Sequence, residues 1–242
     1  RVYMAGKSGG LRVVDAGDPS RMAPLSAIEA GGMVVYLDNS GDKPRAKTRP
    51  FVPGDASVPP GSVVGSRAVD VVLEETLAYL LWWDFPSDAG SLKIIDMSRP
   101  DSPKPIGLWP GRTNRRYRAL AREDRWIYLG EANHSGACSL VILDASNLST
   151  PAITARYPVP SGIEDICAGG PLVVAGSYRG LRIFDVVNPA DPVPLADVAF
   201  PARNEFPEGG KEAHVYAKDG LIFASNWKDG ILIFEHDFYR DR

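Results

Sequence analysis

Asp70, Arg118, Asp165 and His214 occupy equivalent or near-equivalent positions at the starts of four strand-like runs in this 242-residue chain. Two carboxylates, a guanidinium and an imidazole gathered at one place can bind a polar ligand or an ion. The same four groups can instead pair with one another and with water, which is the commoner arrangement. A second set is basic and aromatic. Arg112, Arg115 and Arg116 crowd one short stretch, and Trp82, Trp83 and Trp227 close strand-like runs. Arginines in that density suit a carboxylate, a phosphate or an acidic partner. Exposed tryptophans anchor partner proteins or stack on sugars, whereas buried ones fill gaps between sheets.

Other chemistry is poorly supported. His134 lies near Cys138, but no third group orients them as a nucleophile and base. Cys138 and Cys167 show no metal-ligand spacing. They read as two buried thiols, with pairing open only in an oxidising compartment. Gly-rich phosphate loops, His-Glu-x-x-His and Gly-x-Ser-x-Gly do not occur. No cofactor or metal is therefore expected. A net charge of −3, from 27 basic and 30 acidic residues, gives no reason to expect nucleic acid as partner. No apolar run approaches the ~18 residues of a membrane span, and no secretory leader opens the chain. Arg1 leads straight into a strand-like run, which suggests missing or cleaved upstream sequence.

The elements that must position these groups come from a repeat. Gly10–Pro19 (GLRVVDAGDP), Ser91–Pro100 (SLKIIDMSRP), Ser139–Leu148 (SLVILDASNL), Gly180–Pro189 (GLRIFDVVNP) and a weaker copy from Gly230 share one order. Each is a small residue, an aliphatic run, an acid and a turn. The acids Asp15, Asp96, Asp144, Asp185 and Glu235 are 81, 48, 41 and 50 residues apart. Four-stranded propeller blades recur at about 40–50 residues, and the long first gap leaves room for a degenerate unit. Residues 27–35 align with 165–174 as strand, tight Gly-Gly turn, strand. The Pro-, Gly-, Lys- and Arg-rich stretch 39–63 reads as an irregular excursion.

Each full unit parses into four strands. The first strands are 67–73, 117–122, 163–168 and 213–218, and the second are 77–83, 126–131, 172–177 and 221–226. The motif is the third strand; 193–199 is an example of the fourth. The apolar runs are continuous rather than alternating, which fits sheets covered on both faces. The repeated acids suit turns, where a carboxylate accepts backbone N–H groups and Pro presets φ.

These motifs resemble the LVIVD repeat found in β-propeller proteins, most of them extracellular or at the cell surface. The likeness covers most of the chain except about 39–63. The last copy departs from it, with Glu235 in place of Asp and no Pro turn. The resemblance implies an all-β fold: one β-propeller domain over 1–242, with six units, one of them degenerate, or alternatively five. It implies no reaction. The first strands would then begin near a central channel, and residues 230–238 would pair beside the first unit to close the ring. The longer loops, 84–90, 109–116, 132–138, 158–162 and 200–212, would collect on one face, where binding usually lies.

The functional expectation is a non-enzymatic binding or structural subunit, extracellular, periplasmic or at the cell surface. Its loop-rich face would meet a partner protein, a ligand or a larger assembly through Asp70, Arg115, Arg116, Arg118, Asp165, His214 and Trp227. The alternative is an enzyme at the channel mouth acting on a small polar or glycan substrate.

Overall fold

The computed structural model describes residues 2–6, 10–15, 23–28, 32–38, 45–50, 63–65, 67–84, 89–133, 136–200, 213–226 and 230–236, with side chains from Ala68 on save those of Asp84 and Asn226. The chain divides into two compact units, residues 1–116 and 117–242. The fold is all-β. Among the described residues there is no helix, and hence none long and apolar enough to cross a membrane.

In the first unit, β1 (Val2–Gly6), β2 (Gly10–Asp15) and β3 (Ala23–Ile28) form one antiparallel sheet in chain order. A second sheet has β4 (Gly32–Asp38) at its centre, flanked by β5 (Arg45–Pro50) and β6 (Val63–Gly65). Next come β7 (Arg67–Glu74), β8 (Leu77–Asp84), β9 (Ala89–Asp96) and β10 (Lys104–Trp109), each antiparallel to its predecessor. Ala78, Tyr79, Leu80 and Leu81 are consecutive and fully buried, so β8 is covered on both faces. Ala68, Ala78, Leu80, Trp82, Ile95 and Met97 form one core cluster. Each large apolar side chain so buried contributes about 1.5–3 kcal/mol.

The second unit repeats that order. β11 (Arg115–Glu123), β12 (Trp126–Asn133), β13 (Cys138–Asp144) and β14 (Ala152–Val159) are followed by β15 (Asp165–Gly169), β16 (Leu172–Ser177), β17 (Gly180–Asp185) and β18 (Val193–Ala199). β19 (Ala213–Lys218), β20 (Leu221–Asn226) and β21 (Gly230–Glu235) make a three-stranded sheet. β12 packs against β15, and both β15 and β16 pack against β19. Gly130 permits the first approach: a Cβ there would lie 2.8 Å from the Cβ of Ile163.

The same three devices shape successive sheets. The hairpins after β7, β11, β15 and β19 turn at Glu75, Asp124, Gly170 and Asp219, all with φ of 50–56°. Such left-handed turns match the twist of paired strands. The repeated acids cap turns, as their spacing predicts: Asp96, Asp144 and Asp185 each accept a 2.8 Å bond from the N–H two residues on, at Ser98, Ser146 and Val187. The N–H and hydroxyl of Ser98 hold the Asp96 carboxyl below its ordinary range, and the hydroxyl and N–H of Ser146 do the same for Asp144. A register shift recurs where β3, β10, β14 and β18 pair with the strands before them. It marks a bulge that bends the last strand of each sheet.

Two sequence expectations are corrected. Residues 27–35 do not make a Gly-Gly hairpin: β3 pairs with β2, while β4 pairs with β5 and β6. The short aliphatic run at 23–28 completes the ladder begun at β2, so β3 is a fourth-type strand. The stretch 39–63 is also not wholly irregular, because β5 pairs with β4 along its length. Its alternation of Arg45, Lys47 and Arg49 with Ala46, Thr48 and Pro50 suits an edge strand, where charge and proline are tolerated.

Candidate functional site

The predicted ionisable residues begin the first strand of successive sheets, and in the second unit they act between sheets. Arg118 on β11 donates through Nη1 to both carboxylate oxygens of Glu164, at 2.8 Å each, just before β15 begins. Asp165 opens β15. Its Oδ1 accepts the N–H of Ile166 at 2.9 Å, and its Oδ2 accepts the N–H of Val215, on β19, at 2.8 Å. The same Oδ2 lies 3.5 Å from Nδ1 of His214, whose side chain is 69% exposed. Burial raises the Asp165 pKa, and the two backbone N–H groups and His214 oppose that rise. Arg118 thus joins β11 to the start of β15, and Asp165 joins β15 to β19.

In the first unit Asp70 uses the same local device, its Oδ1 accepting the N–H of Val71 at 2.8 Å. Arg115 forms a single parallel bridge with Ala89, and the Arg116 guanidinium lies 4.8 Å from the ring centroid of Trp83. Trp82 is buried, with Nζ of Lys93 3.8 Å from its ring, and so serves the core. Arg112 is exposed. Trp227 and His134 lie outside the described residues.

The structure therefore brings Asp165 and His214 together, and it gives Arg118 a partner that the sequence reading did not single out. Glu164 sits one place before the aligned position of Asp165, so a column-by-column comparison passes over it. Among the described residues no group of three or more His, Cys, Asp and Glu side chains is placed to hold a metal.

A buried polar group also went unnoticed. Glu131 on β12 is fully buried, accepts a 2.9 Å bond from the Tyr117 hydroxyl and is ion-paired with Arg156. Burial first, and the Glu131 charge second, raise the Tyr117 pKa, which keeps the phenol neutral. Its sequence signal is a lone acid inside the apolar run Trp126–Ala132. Both cysteines are free. Burial raises the Cys138 pKa, and burial with the neighbouring Asp165 carboxylate pushes Cys167 to about 12, so neither thiol is activated.

The second unit also carries an open cavity of about 260 Å³, bounded by Val159, Pro160, Ser161 and Ile163 and by the ends of β16, β17 and β18. Arg182 crosses its wall to Asp197, Nε to Oδ1 and Nη2 to Oδ2, both at 2.5 Å. The guanidinium holds the Asp197 carboxyl below its usual range.

Comparison with known proteins agrees with the repeat. Residues 2–26 and 136–159 match the LVIVD repeat, so the chain carries LVIVD repeats at these two stretches. In the fold they correspond to β1, β2 and most of β3, and to β13 with β14. None of the curated proteins compared with the chain matches it. Among solved structures it is similar to a hypothetical selenium-binding protein from Sulfolobus tokodaii, at 14% identity and a TM-score of 0.51. That match covers 89% of this chain and 64% of the other. It is also similar to a complex of KlAtg21 with the coiled coil of AgAtg16, at 15% identity and a TM-score of 0.50, over 98% of this chain and 77% of the other. At these identities the likeness is one of fold.

Proposed function

We propose that the chain is a β-propeller binding or structural subunit, working outside the cytoplasm, that presents its loop-rich end to a protein partner with an acidic surface. Three things support the architecture: LVIVD repeats, sheets covered on both faces, and the recurring turn, acid cap and bulge. β1 and β2 approach β7, much as β12 approaches β15. That neighbour relation favours five blades, with β4–β6 as an insertion after the first.

The observation that carries the binding reading is how the charged groups are used. Arg118 and Asp165 bond between sheets, while the exposed Arg112 lies in the loop before β11, whose first residues Arg115 and Arg116 continue the basic run, the latter 4.8 Å from the Trp83 ring. Guanidinium groups near an aromatic ring suit recognition of carboxylates on a partner surface. A photo-crosslinker at position 112 should give a discrete adduct with an acidic protein from the extracytoplasmic fraction. The double variant R115E/R116E should lose it while still unfolding in one cooperative transition. An adduct that persists in the variant would reject this face.

A second reading has one observation in its favour. Asp165 beside the exposed His214 is the orienting half of a general-base arrangement. Turnover of a polar or glycan substrate abolished by H214A would establish it over the binding role.

A further inference from the structure

The cavity beside β16–β18 is not lined by Arg115, Arg116, Arg118, Asp165 or His214. We propose that it binds a small carboxylate with an apolar body. Its walls are apolar, supplied by Val159, Ile163, Leu181 and Val198. Ala175, Gly180 and Ala199 add little side-chain bulk and leave the space open. At about 260 Å³ it falls just below the ~300–1,000 Å³ of drug-sized pockets, so the ligand is small.

Its polar groups differ in what they have left to give. Arg182 and Asp197 satisfy each other. The hydroxyl of Ser177 is used inside the hairpin, accepting from the Arg179 N–H and donating to the Gly180 carbonyl. Arg179 is different. Its Nε donates to the Tyr178 hydroxyl at 3.0 Å, and its guanidinium lies 5.4 Å from that ring's centroid. Among the described residues no carboxylate pairs with it.

That cation is carried on a fixed backbone. The Arg179 carbonyl accepts the N–H of Phe200 at 3.0 Å, beside the Ser177 bond to its own N–H. Gly180 has φ of 149°, and a Cβ there would fall 2.1 Å from the Val198 carbonyl oxygen, so the hairpin tip is pressed onto β18. Arg179 stands exposed at the lip of this pocket, and its guanidinium can meet one carboxylate through two parallel N–H bonds.

The test is titration of the full chain with phenylacetate and isovalerate, and with their neutral amides, followed by calorimetry and ligand-observed NMR. The carboxylates should bind saturably and the amides much more weakly. Arg179→Gln, at an exposed site, should weaken phenylacetate by about tenfold to a hundredfold. Val159→Trp should fill the cavity and abolish binding. The proposal fails if no carboxylate binds saturably, if phenylacetate and phenylacetamide bind alike, or if R179Q keeps wild-type affinity. Because the crosslinking at the partner face involves none of these residues, failure of one experiment leaves the other intact.

Discussion

Single charged side chains in this protein differ widely in what they contribute, and burial decides which matters. Arg118 is 46% exposed, so its pair with Glu164 is screened and contributes under about 1 kcal/mol. Glu131 is fully buried against Arg156 and Tyr117. Glu131→Gln leaves the guanidinium uncompensated and should cost about 3–5 kcal/mol in urea unfolding. Replacing the pair together, E131M/R156M, should recover much of that loss; equal destabilisation by both variants would show that packing, not charge, is at stake. Asp165 has its own pH signature. Its folded pKa is raised, so its charged form is disfavoured in the native state. The contribution is fully present below the ordinary Asp range and is lost as pH rises through the raised value. Asp96, Asp144 and Asp197 are shifted the other way and lose stability as pH falls. Comparison with D165N isolates the first effect: on acidification the wild type should gain stability relative to the variant. A difference that does not vary with pH would mean that Asp165 is not held in a burying site.

Between elements, close approach rather than charge governs how β12 meets β15. Gly130 is the point of contact, and a branched side chain there would strike Ile163. Gly130→Val should lower stability by about 1–3 kcal/mol. Gly169, with open space around its Cβ position, should accept Ala with little change. Similar costs at both sites, read from denaturant midpoints, would count against a close β12–β15 contact.

Across the molecule, the repeat was legible because each unit prints its own punctuation. Glu75, Asp124, Gly170 and Asp219 mark hairpins, and Asp96, Asp144 and Asp185 mark the turn that follows. Pairing partners were less legible. Residues 27–35 read as two strands about a Gly-Gly turn, but periodicity does not say which neighbour completes which ladder. The charged positions were found by alignment, yet their roles were not, because Glu164 and the Val215 N–H come from other sheets. Arg179 escaped notice for a related reason: only the fold shows that its neighbours carry no opposing carboxylate.

The measurement that bears most directly on this account is equilibrium urea unfolding of Asp165→Ala at neutral pH. If the carboxylate joins β15 to β19, its loss strands the N–H groups of Ile166 and Val215 and should cost about 1–3 kcal/mol. A variant as stable as the wild type, or more so, would contradict it, since removing a strained reactive group commonly stabilises a protein.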